Sequence, residues 1–144
     1  MTLIAEQTLE EAFPAVESGA KPLGARILVQ LRQTKKTSKS GIVLVEETKE
    51  AEKWNNMVAK VIEIGPLAFR KRDTMEPWPE GSWCEVGDYI RVPKWGGDRW
   101  EVPLPGQEDA DKQRPKETAL FMILNDHEII AKITGSPLEM KAFV

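Results

Sequence analysis

The apolar residues of this chain come in short runs, many of them stopped by glycine or proline. Arg26–Arg32 alternates in part, with Ile27, Val29 and Leu31 on one face. Met57–Ile64 ends at Gly65-Pro66; Tyr89–Val92 is entered through the turn Gly87-Asp88 and left through Pro93; Arg99–Val102 runs into Pro103. Ala119–Leu124 is wholly apolar, turns at Asn125–Glu128, and continues as Ile129–Ile133 before Gly135. Runs of this length with this punctuation are strands. No convincing helical pattern lies between them. A small all-β barrel or sandwich is therefore expected, and 144 residues make it a single domain with a short appendage.

One apolar run does not fit that scheme. Gly41-Ile42-Val43-Leu44-Val45 stands alone within residues 33–54, between a basic and hydroxylated flank (Lys35, Lys36, Lys39) and a charged one (Glu46, Glu47, Glu50). A core strand has neighbours that fold onto it. This run reads instead as the apolar tip of a long mobile loop, made to be buried in something else.

Three further regions break the strand pattern. Residues 1–20 look like an extension, in which Leu3, Ile4, Leu9 and Phe13 line one side of a short helix, Thr8 and Glu11 have capping-box spacing, and Pro14 stops it. Residues 66–86 carry three prolines and two tryptophans and read as an irregular excursion. Residues 103–117 are the most polar stretch and read as a solvated insertion.

Composition narrows the function. The net charge of −3 and pI near 5.3 argue against a nucleic-acid binder, which needs a basic footprint. No apolar run approaches the ~18 residues of a membrane span, and the acidic N-terminus is unlike a signal peptide. A single cysteine, Cys84, fits a reducing, cytoplasmic setting. The chain has one histidine, no paired CxxC, no HExxH and no Gly-rich phosphate loop. His127 reads as an exposed turn residue and Cys84 as a small buried hydrophobe. No catalytic residue, metal ligand or cofactor site is expected, and an enzyme is disfavoured.

The order of segments resembles the GroES-type co-chaperonin family. The match is carried by Lys21-Pro22-Leu23 with Arg26–Val29, by Ser40-Gly41-Ile42-Val43-Leu44, and by Val58–Val61 through Gly65. It continues with Val86-Gly87-Asp88-Tyr89-Ile90, and closes with Leu120–Leu124 followed by Glu128–Ala131. Each motif alone is weak; GIVL by itself is an ordinary buried strand. In this order, across residues 21–134, the set is specific. The extension, the longer 66–86 excursion and the 103–117 insertion depart from the ordinary members. Such elaboration is similar to virus (phage)-encoded co-chaperonins.

The resemblance implies an irregular β-barrel over 21–134, a mobile loop at 33–54, a roof-like hairpin at 66–86 and a tail at 135–144. It implies a homo-oligomeric ring, typically a heptamer, that caps a GroEL-type chaperonin and encloses an unfolded client. Nucleotide would be bound by the chaperonin and not by this chain. Gly41, Ile42, Val43 and Leu44 would bind the chaperonin. Pro22, Leu23, Ile129, Ile130 and Ile133, near the two ends of the barrel sequence, would form subunit contacts. Trp78 and Trp83 would sit in the roof, either packed or facing the client. Trp95 would face the chamber or pack over its own turn glycines. The alternative reading is a structural or assembly protein, for example of a virus particle, that reuses the same barrel.

Overall fold

The computed structural model describes residues 8–33, 57–94, 96–104 and 118–138. Its elements are a short helix α1 (Leu9–Ala12) and six strands. The strands are β1 (Arg26–Leu31), β2 (Val58–Ile64), β3 (Tyr89–Arg91), β4 (Asp98–Pro103), β5 (Thr118–Asn125) and β6 (Ala131–Lys132). They form one antiparallel sheet in the order β4-β5-β1-β2-β3-β6, so the fold is all-β as expected. Five strands lie within a residue or two of their sequence expectation. The last is shorter than Ile129–Ile133, because its ladder pairing with the three-residue β3 is confined to Ala131 and Lys132.

The period-two pattern builds two apolar faces. Ile27, Val29 and Leu31 of β1 point inward with Ala59, Val61, Ile90, Met122 and Leu124. Leu28 points to the other face and meets Ala119, Phe121, Ile62, Ile123 and Trp100. Strict alternation would set Ile64 on the face opposite Val61. The β1–β2 register shifts between Leu28 and Val29, so that Leu28 opposes Glu63 while Val29 opposes Val61. Ile62 is the extra residue, and this bulge returns Ile64 to the inner face, beside Val61. The wholly apolar run of β5 has its explanation in the same arrangement: both of its faces are covered.

The second face is covered by the N-terminal extension. The capping box forms as its spacing suggests. Glu11 N–H donates to Thr8 Oγ1 (3.1 Å), and Thr8 N–H donates to Glu11 Oε1 (3.3 Å). The helix is only four residues long, and Leu9 is exposed; Ala12 and Phe13 are the buried residues. Beyond it the chain runs without regular structure over the sheet. Gln30 Nε2 donates to the Pro14 carbonyl and Trp100 Nε1 to the Ser18 carbonyl, both at 2.8 Å. Val16 packs on the Leu28–Phe121 cluster.

One close approach and one turn call for glycine. A Cβ on Gly65 would strike the carbonyl oxygens of Gly24 and Arg26, and its own N–H donates to Arg26 O at 2.8 Å. Gly87 takes φ +96 in the turn before β3, a left-handed conformation that suits glycine. There Asp88 Oδ2 accepts from Glu85 N–H (2.8 Å) and lies 3.3 Å from Lys132 Nζ. The Val-Gly-Asp sequence thus closes its own turn and ties it to β6.

Candidate functional site

Three regions bear on function: the root of the 33–54 loop, the free edge of β6, and the excursion after β2. Gly41, Ile42, Val43 and Leu44 lie outside the described residues, as do Trp95, residues 105–117 and residues 139–144.

At the loop root the chain leaves β1 and returns at β2. Arg32 N–H donates to Val58 O (2.8 Å), so the two limbs are hydrogen-bonded to each other. Val92 N–H donates to Met57 O (2.9 Å), tying the returning limb to the end of β3. Arg32 is buried, and its Nη1 donates to the Pro137 carbonyl at 3.3 Å. Burial pushes its pKa below the usual guanidinium value, although the group stays charged at neutral pH. Gln33 N–H donates to Ala12 O at 2.8 Å. Phe13 sits beside Tyr89 (ring centroids 5.2 Å apart) in a cluster with Val58, Ile133 and Leu138.

At the edge, the five residues singled out for subunit contacts divide into two groups. Pro22, Ile129 and Ile133 are buried within the protomer: Ile129 in the inner core and Ile133 against Phe13 and Val58. Leu23 and Ile130 are 66% and 57% exposed. Lys21–Leu23 lies outside the sheet, and its edges are β4 and β6. The outer side of β6 borders a cleft of about 390 Å³ whose walls include Ser82, Trp83, Ile130 and Lys132.

The excursion forms a small hairpin over residues 69–78. Arg70 bridges Pro77, Lys71 N–H donates to Glu76 O (2.8 Å) and Trp78 N–H donates to Phe69 O (3.0 Å). Trp78 and Trp83 are half-buried and meet at 4.8 Å between ring centroids; Trp78 stands edge-on to Phe69 at 5.5 Å. All three belong to or abut the inner core. Phe69 takes φ +61, unusual for a bulky residue. Its N–H donates to Asp126 Oδ2 at 2.8 Å, and Asp126 is fully buried. Asp126 Oδ1 lies 3.3 Å from Arg72 Nη2 and 3.5 Å from His127 Nδ1. The sequence places Asp126 in an ordinary polar turn; nothing in it signals that this carboxylate pins the base of a hairpin more than fifty residues away. His127 is exposed and Cys84 buried.

The chain matches the profile of the chaperonin 10 kDa subunit family over residues 19–133. That span takes in the whole sheet and the loop between β1 and β2. The chain belongs to this family. It is 36% identical over 117 residues to the co-chaperonin GroES of Clostridium botulinum, covering 80% of this chain and 97% of the relative. It is 32% identical over 115 residues to that of Acetivibrio thermocellus (78% and 96%), and 29% over 120 residues to that of Methylacidiphilum infernorum (83% and 99%). Against the chaperonin 10 span, α1 and residues 134–138 are additions.

Proposed function

We propose that this chain is a co-chaperonin that caps a GroEL-type chaperonin in a nucleotide-dependent cycle and encloses a client protein. The observation that carries the reading is the family match over residues 19–133, which includes the Gly41–Leu44 motif in order between β1 and β2. The chain does no chemistry of its own. Nucleotide is bound by the chaperonin, and both partners work in the cytoplasm.

The energetics follow from the residue types. Ile42, Val43 and Leu44 enter an apolar groove on the chaperonin, each contributing ~1.5–3 kcal/mol on burial. Ordering the loop costs about 1–2 kcal/mol for each backbone residue fixed. The net gain per loop is small, so a single protomer binds feebly. A ring multiplies the contacts, with a gain in avidity on the order of 10²–10⁴. A modest change in the chaperonin then releases the whole cap. The ring has seven subunits, joined by heterologous contacts between the Leu23 segment of one protomer and the β6 edge of the next. Exposed Leu23 and Ile130 supply apolar surface, while Pro22, Ile129 and Ile133 support those segments from beneath. The 66–86 segment forms the roof, with its tryptophans packed, and Trp95 lies toward the chamber.

Size-exclusion chromatography with light scattering tests this directly. The protein alone should elute with the mass of about seven subunits (typical of this family), and should join a bacterial chaperonin only when ATP or ADP is added. Val43→Asp should leave the ring intact and abolish the association. Unimpaired association of that variant would refute the assignment of the loop tip.

A further inference from the structure

We infer that the two parts of this chain lying outside the family span, the N-terminal extension and the segment after β6, form a clamp on the root of the chaperonin-binding loop. The inference rests on the co-chaperonin reading above. Residues 8–18 and 134–138 lie at opposite ends of the sequence, yet both come to the same place. Ala12 O accepts from Gln33 N–H, one residue before the segment 34–56 begins. Pro137 O accepts from the buried Arg32 guanidinium, one residue earlier. Phe13 and Leu138 pack in one cluster with Val58, where the chain comes back from the loop, and with Tyr89 and Ile133. The additions thus hold the outgoing limb by hydrogen bonds and the returning limb by apolar contact.

Other features of the extension suit a clamp better than a loose tail. The capping box fixes the backbone at Thr8–Glu11, immediately before Ala12. On the far side, Gln30 and Trp100 hold the carbonyls of Pro14 and Ser18. The backbone oxygen at Ala12 is therefore presented from a segment anchored on both sides. Limbs held in one position leave fewer residues to be ordered when the loop tip is captured. The clamp acts as a positioning device, through the entropy of capture.

The test uses two variants. Phe13→Ala in the full chain empties the apolar half of the clamp. Removal of residues 1–13 takes away both Phe13 and the Ala12 carbonyl, but leaves 14–20 on the sheet. Amide hydrogen exchange should accelerate at least tenfold at Arg32 and Gln33, with Val61 and Phe121 unchanged. Affinity for chaperonin in the presence of ADP should fall about tenfold per loop, the equivalent of one more backbone residue to order. Oligomer mass should stay the same. Unchanged exchange at Gln33, or undiminished affinity in both variants, overturns the clamp and leaves the co-chaperonin reading standing. A wild-type chain that ignores chaperonin overturns that reading, and the positioning role with it. Acceleration spread equally over all amides would mean that the extension only stabilises the barrel, and would also overturn the proposal.

Discussion

Replacing Asp126 with alanine should unpin the excursion hairpin from the sheet. Asp126 is wholly inaccessible, and its carboxylate accepts the N–H of Phe69 at 2.8 Å. Phe69 is itself buried and held at φ +61, a conformation that local sterics do not favour. Alanine leaves that N–H buried without its acceptor, at a cost of about 1–3 kcal/mol. The ion pair with Arg72 adds little, because Arg72 is more than half exposed and its share is at most about 1 kcal/mol. The total is about 1–4 kcal/mol. For a chain of this size each kcal/mol shifts Tm by roughly 2–4 °C, so the melting temperature should fall by roughly 2–16 °C. Calorimetry at fixed protein concentration reads this, and hydrogen exchange should locate the loosening at residues 66–78. Asp126→Asn is the informative companion. It keeps an oxygen for Phe69 and discards the charge, so it should lose no more than about half as much stability. An alanine variant that melts with the wild type would refute the pin. An asparagine variant as damaged as alanine would show that charge, and not the acceptor, holds the hairpin.

Further outcomes follow from single positions. Burial pushes the Cys84 thiol up to about 11, with the carboxylates of Asp88 and Glu85 adding to the rise and Lys132 opposing it. A thiol-reactive dye at pH 8 should label the folded protein far more slowly than the unfolded one. Because the folded pKa lies above the ordinary value of 9.0, the thiol contributes stability that is present below pH 9 and lost as pH rises towards 11; a pH series of denaturant melts checks the sign. Gly65→Ala places a methyl against two backbone carbonyl oxygens, that of Arg26 at 2.7 Å, and should cost about 3 kcal/mol by denaturant titration. Gly135→Ala, with nothing within 4 Å, should be close to neutral in the same assay.

The strands were legible because partial alternation or an unbroken apolar run marks their bodies, and glycine, proline or a polar turn marks most of their ends. Ala119–Leu124 and Met57–Ile64 could be read almost to the residue. The family resemblance placed the Val-Gly-Asp turn, and the structure adds why it works: glycine supplies the left-handed φ and aspartate bonds back to Glu85. What escaped were polar side chains whose partners are distant in sequence. Gln30 and Arg32 look like the solvated residues of a half-buried strand, yet both are buried because carbonyls of Pro14 and Pro137 receive their N–H groups. Asp126 looked like a turn residue for the same reason. Local pattern reports which face a residue occupies, but it carries no record of which remote backbone atom waits there. The helix was legible in part: Thr8 and Glu11 cap its start and Phe13 is buried as expected, but Leu9 is exposed and Ala12 is buried instead, while Leu3 and Ile4 lie outside the described residues.

The sheet order has a consequence for how the chain reaches this structure. The first strand made, β1, stands in the middle, with Ile27 opposite Ile64 on one side and opposite Leu124 on the other. Half of its hydrogen-bonding partners are thus synthesised near the very end. While the ribosome is still at work, β1 and β2 can pair only as a hairpin closed over a long connection, with one side of β1 open, and the loop-closure entropy makes that pair weak. Completion depends on β5, which also brings in β4 as its far neighbour. Folding should therefore be abrupt and late, following release of the C-terminal strands rather than proceeding with elongation. Nascent chains stalled before Thr118 should remain open to protease throughout β1.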